Sequence, residues 1–170
     1  AVFKMIDRAI VGYDQVIRLD PTYAPAWTYR ATAYLEKGEF DHAIADLNQA
    51  ITLDPKSAVA YNGRCYAYVV ANRRLQQALA DCNESLRLRP NNAATLDSRG
   101  FAHLRLGQFK EAIADFDAEL AVRPSAPNSL YGRGLAKLKM GDATGGEADM
   151  AAARALLPTV GDQLAAYGIK

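Results

Sequence analysis

The chain is poor in the residues that carry chemistry. It has two histidines and two cysteines in 170 residues. His42 and His103 stand in no ligand set with the spacing of a metal site, so no metal centre is expected. Two cysteines are too few for a disulfide framework. No phosphate-cradling loop is present: Gly145-Gly146 runs into Glu147, with no Lys-Ser or Lys-Thr to hold a nucleotide. No apolar run approaches the roughly 18 residues that would span a bilayer. Neither sign of charge dominates, with 20 basic against 19 acidic residues, so neither nucleic acid nor an anionic membrane is expected as a partner. Residues 1–19 carry Lys4, Asp7, Arg8, Asp14 and Arg18, spaced as a helix surface and not as a signal peptide. The expectation is a protein without cofactor that is not an enzyme.

What the chain does have is a period. Pro21, Pro55, Pro90, Pro124 and Pro158 follow one another at intervals of 34, 35, 34 and 34 residues. Periods in this range mark solenoids, in which small units stack and each buries its apolar face on its neighbours. With the proline at position 32 of a 34-residue unit, position 4 holds Trp27, Tyr61, Leu96 and Leu130. Position 8 holds the small residues Ala31, Cys65, Gly100 and Gly134, and position 20 holds Ala43, Ala78, Ala112 and Gly146. Position 24 holds Leu47, Cys82, Phe116 and Met150. Positions 4, 8 and 11 share one helical stripe, and the small residues at 8 and 20 let two helices approach closely. Gly38, Asn72, Gly107 and Gly141 lie between the two apolar runs of each unit and suit a left-handed helix end. Each unit therefore reads as helix, turn, helix, turn.

The pattern resembles the tetratricopeptide repeat, most fully at Trp27, Ala31, Tyr34, Ala43, Leu47 and Pro55. The resemblance implies an all-α, right-handed solenoid of stacked antiparallel helix pairs, about ten helices, forming one domain over residues 1–170. Residues 1–23 would be the second helix of a truncated repeat, 24–57, 58–92, 93–126 and 127–160 four full repeats, and 160–170 a capping helix. Repeat two carries one extra residue within its inner turn. Gly145 and Gly146 stand where helix formers belong, at a cost on the order of 1 kcal/mol each, so the last unit is expected to be the least stable. Cys65 and Cys82 would face one another across a helix pair and are expected as free, buried thiols, since a disulfide requires an oxidising compartment and suitable geometry.

Two charged columns recur with the repeat. Arg30, Arg64, Arg99 and Arg133 occupy position 7, and Asp46, Asp81, Asp115 and Asp149 occupy position 23. Their recurrence points to pairing, within a unit or between neighbours, in a structural and not a catalytic role. A solvated helix edge is the alternative.

In the family, a concave groove lined by the first helices binds partners. Carried over, positions 5, 9 and 13 assign a partner-binding set of Asn62, Tyr66, Asp97, Phe101, Arg105, Tyr131, Leu135 and Lys139. Tyr66, Phe101 and Leu135 would form an apolar strip with a polar rim around it. The basic clamp by which chaperone-binding members hold a C-terminal carboxylate is missing in either frame, with Thr28, Thr32, Gly63, Ala94 and Ser98 or Asn62, Tyr66, Ser98, Asn128 and Gly132 at its places. The expected function is a protein–protein interaction scaffold taking a peptide or helix of a partner protein. Two readings stand beside it: a substrate- or partner-positioning region of a larger enzyme, and a homo-oligomer assembled through the N-terminal helix. A cytoplasmic setting is expected, with a periplasmic or secreted one left open because the chain begins in mid-repeat.

Overall fold

The computed structural model describes residues 2–170, which form ten α-helices and no strand. They are α1 (Val2–Leu19), α2 (Ala24–Lys37), α3 (Phe40–Leu53), α4 (Ala58–Val70), α5 (Leu75–Leu88), α6 (Ala93–Arg105), α7 (Phe109–Val122), α8 (Pro127–Lys139), α9 (Ala143–Leu156) and α10 (Val160–Ala166). Each recurring proline sits in the turn between one unit and the next. The break inside repeat two takes two left-handed residues, Asn72 and Arg74 at φ near 50°, and this accommodates its extra residue. Ser57 and Asn92 cap α4 and α6 by accepting from the backbone N–H three residues on.

The helices pack in two unequal layers. Each first helix touches the next, from α2 through α4, α6 and α8 to α10, whereas no second helix (α1, α3, α5, α7, α9) approaches another. A row whose members touch beside a row whose members do not must curve toward the first. The first helices therefore form the inner wall of the solenoid.

Within each unit the core follows one rule of size. A small residue at position 8 faces a larger one at position 24. A Cβ placed on Gly100 would lie 2.7 Å from the Phe116 ring, and one on Gly134 would lie 2.6 Å from Met150. Repeat two obeys the rule differently, since both positions hold cysteine. Their Cα atoms are 5.6 Å apart, within disulfide reach, and Cys65 and Cys82 are bonded. The expectation of free thiols is thereby corrected: the facing positions that elsewhere mesh large with small here hold two short side chains on converging vectors. Gly146 also differs from its reading as a weakness. Its Cα faces Gly134 across α8 and α9, and a Cβ there would come within 2.8 Å of the Gly134 carbonyl oxygen. Glycine permits this contact, which no residue with a Cβ could make.

The two charged columns meet. The Nε–Nη2 edge of each position-7 arginine forks onto both oxygens of the position-23 aspartate in its own unit, at 2.6–2.8 Å: Arg30 on Asp46, Arg64 on Asp81, Arg99 on Asp115, Arg133 on Asp149. Nη1 then reaches back to the preceding unit, onto Asp14, Asn48, Asn83 and Asp117 in turn. Those four residues are one column, position 25. Each arginine is thus a staple within a unit and between units. The aspartates are nearly enclosed, with Asp81 at 2% exposed. Trp27 lies under the Arg30 guanidinium at 5.0 Å, a cation–π contact that further shields the first staple. At Asp149, burial would raise the carboxyl, but Arg133 and Lys137 outweigh it and hold the pKa below its ordinary value.

Two outcomes are expected. Asp115→Ala strands a half-buried guanidinium and should lower unfolding free energy by about 3–5 kcal/mol in a denaturant titration, against a few tenths for an exposed pair. Reducing the Cys65–Cys82 bond, which closes a 17-residue separation, should cost about 3 kcal/mol by the chain-entropy estimate, read as the shift between titrations with and without reductant.

Candidate partner-binding groove

The eight residues assigned to the groove fall into two groups on the inner wall. Tyr66 on α4 is 37% exposed, Lys139 at the end of α8 is exposed, and Asn62, Asp97 and Arg105 keep part of their surface open. Phe101, Tyr131 and Leu135 are buried instead. The apolar strip drawn through Tyr66, Phe101 and Leu135 is therefore not a continuous surface. Phe101 turns inward because Gly132 leaves room: it packs edge-on against Phe116 with ring centroids 5.0 Å apart, and a Cβ on Gly132 would come within 3 Å of both rings. Tyr131 lies under α10, its hydroxyl against Gly161. Leu135 belongs to the same apolar cluster as Val160, Leu164 and Ile169.

Between repeats three and four the inner wall encloses an acid pair. Ser129 Oγ, on α8, lies 2.9 Å from Asp97 Oδ1 on α6 and also within hydrogen-bonding reach of Glu119 Oε2 on α7. A hydroxyl has one proton to give, so it cannot serve two carboxylates at once. Glu119 is fully buried and is paired with Arg123. Burial first, and then the Glu119 charge, raise the Asp97 pKa to about 7.

The chain's own C-terminal turn reaches into the groove. Beyond α10 the backbone reverses at Gly168 (φ 76°), with the Ile169 N–H donating to the Leu164 carbonyl at 3.0 Å. This puts Ile169 into the core at 6% exposure. The Tyr167 carbonyl accepts from Arg105 Nη2, and Tyr167 lies close enough to Tyr66 to add to the rise that burial imposes on its phenol. Among the described residues, two buried atoms of the groove have no hydrogen-bond partner: Asn62 Oδ1 and Arg105 Nε. Among the described residues, no three His, Cys, Asp or Glu side chains cluster as metal ligands would.

Two sequence profiles described as tetratricopeptide repeat match the chain, over residues 24–57 and 66–130. Together with the stacked helix pairs, that decides the matter. The chain belongs to the tetratricopeptide repeat family. Solved structures share the fold. PilW, a type IV pilus biogenesis factor, superposes with a TM-score of 0.81 at 20% identity, covering 96% of this chain and 79% of its own. TTC0263, a thermophilic tetratricopeptide protein of Thermus thermophilus, gives 0.74 at 22% identity, covering 96% and 89%. YrrB, a tetratricopeptide protein with an unusual peptide-binding site, gives 0.73 at 18% identity, covering 97% and 84%. No curated protein matches the chain in sequence.

Against the tetratricopeptide register, the missed groove residues had a visible signal. Position 27 runs Ala50, Ser85, Glu119 and Ala153, and position 3 runs Ala26, Ala60, Thr95 and Ser129. The two columns meet across each unit boundary, as the Ser85–Thr95 hydroxyl pair shows at 3.1 Å. A glutamate in a column of small residues marks the third boundary as different. Ile169 and Tyr167 fall outside the repeat, and no column pointed to them.

The acid pair sets a pH dependence. Asp97 titrates near 4 when unfolded and at about 7 when folded, so folding takes up a proton between those values. Its contribution to stability is whole at acid pH and is lost as pH rises through about 7. The denaturation midpoint of the native chain should fall between about pH 5 and about pH 8, while Asp97→Asn should abolish that slope.

Proposed function

We propose that this solenoid is a non-catalytic scaffold that takes an extended peptide or a helix of a partner protein across α4, α6 and α8. The observation that carries the reading is the unpartnered Asn62 Oδ1 one helical turn from the exposed Tyr66. A buried amide oxygen without a donor costs about 1–3 kcal/mol, and a peptide N–H would satisfy it while Tyr66 supplies a rigid aromatic anchor. The likeness to YrrB supports a peptide as occupant. Carboxylates support the absence of catalysis, since the recurrent ones are consumed by the staples and the extra pair is tied to Ser129 and Arg123. The buried Cys65–Cys82 bond favours an oxidising compartment over the cytoplasmic setting expected from cysteine count.

A second reading, self-assembly, draws on α1. It buries Ile6, Ile10 and Ile17 but leaves Val2, Phe3, Met5 and Val11 more than half exposed, an apolar face that another copy could cover.

Affinity capture with the intact protein and with a Tyr66→Ser bait tests the groove. Partners retained by the native chain should fall about tenfold with the variant, the equivalent of about 1.4 kcal/mol. An unchanged set of partners would move the binding surface elsewhere.

A further inference from the structure

Five arginines are half-buried: Arg30, Arg64, Arg99, Arg105 and Arg133. Four of them present the Nε–Nη2 edge to a carboxylate and receive both its oxygens. Arg105 presents the same edge to a single backbone carbonyl, that of Tyr167, and its Nε is left buried without an acceptor. No carboxylate pairs with it among the described residues. Burial depresses its basicity with no anion to offset the loss.

The surroundings carry the same sign. Arg105, Lys139 and Lys170 line one cavity of about 340 Å³, with Leu104, Phe109 and Ile169 as apolar wall and no acidic residue in the lining. With the turn at residues 167–170 lifted, the guanidinium fork, the Lys139 ammonium and the apolar wall of Leu104 and Phe109 remain, a complement to one kind of group, a planar anion on a short aliphatic stem. Arginine is suited to the anion because its fork matches both oxygens of a carboxylate.

We propose that this pocket seats an acidic side chain of a partner peptide, its carboxylate forking onto the Nε–Nη2 edge of Arg105 with Lys139 as second cation. This rests on the scaffold reading above and names the chemistry of the partner. The Tyr167 carbonyl holds one arm of the fork until the carboxylate arrives, and entry requires the turn at residues 167–170 to lift. The place is distinct from the chaperone-tail clamp, whose positions hold no basic residue in this chain. The seat lies at position 13 of the third and fourth units, at the C-terminal ends of α6 and α8.

The test is a titration of the full chain followed at the arginine Nε–H resonances. N-acetylglutamate N-methylamide is the probe, with N-acetylglutamine N-methylamide and inorganic phosphate as comparisons. The glutamate probe should shift Arg105 saturably, with a dissociation constant on the order of 1 mM, and leave the four stapled arginines in place. The glutamine probe should bind at least about tenfold more weakly, and Lys139→Gln should weaken the glutamate probe several-fold, the loss of one charge pair. Ile169→Ser, which frees the turn, should strengthen binding. The proposal is overturned by an unmoved Arg105 in both the native chain and Ile169→Ser, by equal shifts across all arginines, or by phosphate binding more tightly than glutamate. Failure here with the Tyr66→Ser result intact removes the acidic seat and leaves the scaffold standing.

Discussion

The guanidinium at position 7 governs how this molecule is put together. A helix pair of 34 residues has too little apolar surface to hold itself in one place, and stacking leaves the relative slide and rotation of neighbours to side-chain shape. The arginine fixes both. Its fork on the position-23 aspartate sets how the two helices of a unit face each other, and its third nitrogen on position 25 sets the next unit against that pair. Because four such staples repeat with the same atoms, each unit boundary is built to the same geometry, and regular curvature follows. The groove inherits its shape from this regularity. Removing one aspartate would leave a half-buried cation with one of its three side-chain acceptor contacts.

Much of this is legible in the sequence itself. Proline spacing gave the period, and the alternation of small and large residues at positions 8, 20 and 24 gave the helix pairs. The Arg and Asp columns announced a pairing, though its second arm was missed. Position 25 reads Asp14, Asn48, Asn83 and Asp117, two residue types that look like ordinary surface until the shared acceptor oxygen is considered. The disulfide was misjudged for a different reason. Cysteine count speaks to compartment, whereas pairing depends on whether two Cβ vectors converge, and only the packed helix pair shows that they do.

The groove was legible only in part, and the failures have a common cause. Positions 9 and 5 border both the inner wall and the space between units, so whether a side chain points out or in is set by its neighbour. Phe101 goes in because Gly132 makes room, whereas beside Tyr66 the matching position holds Ser98 and the ring stays out. Columns predict what is shared by all units. They are silent about a side chain whose direction depends on a residue in the next unit, and about the C-terminal turn, which belongs to no column. The parts of the wall that depart from the repeat are thus the parts that differ chemically from one unit to the next. They run from a neutral amide at Asn62, through Asp97 with its raised pKa, to the cations Arg105 and Lys139.

The Cys65–Cys82 bond also has a mechanical consequence. In a linear array each layer is coupled only to its neighbours, so pulling on the two ends peels layers off one after another. The sulfur bridge ties the ends of a 17-residue stretch within the second full unit, so that stretch cannot be drawn out. Under tension the chain lengthens by roughly 3.3–3.6 Å per liberated residue, but gains nothing from the bridged loop. A fully extended molecule would therefore remain shorter than its residue count implies, by about 50 Å, with a small knot of covalent structure marking where its second unit had been.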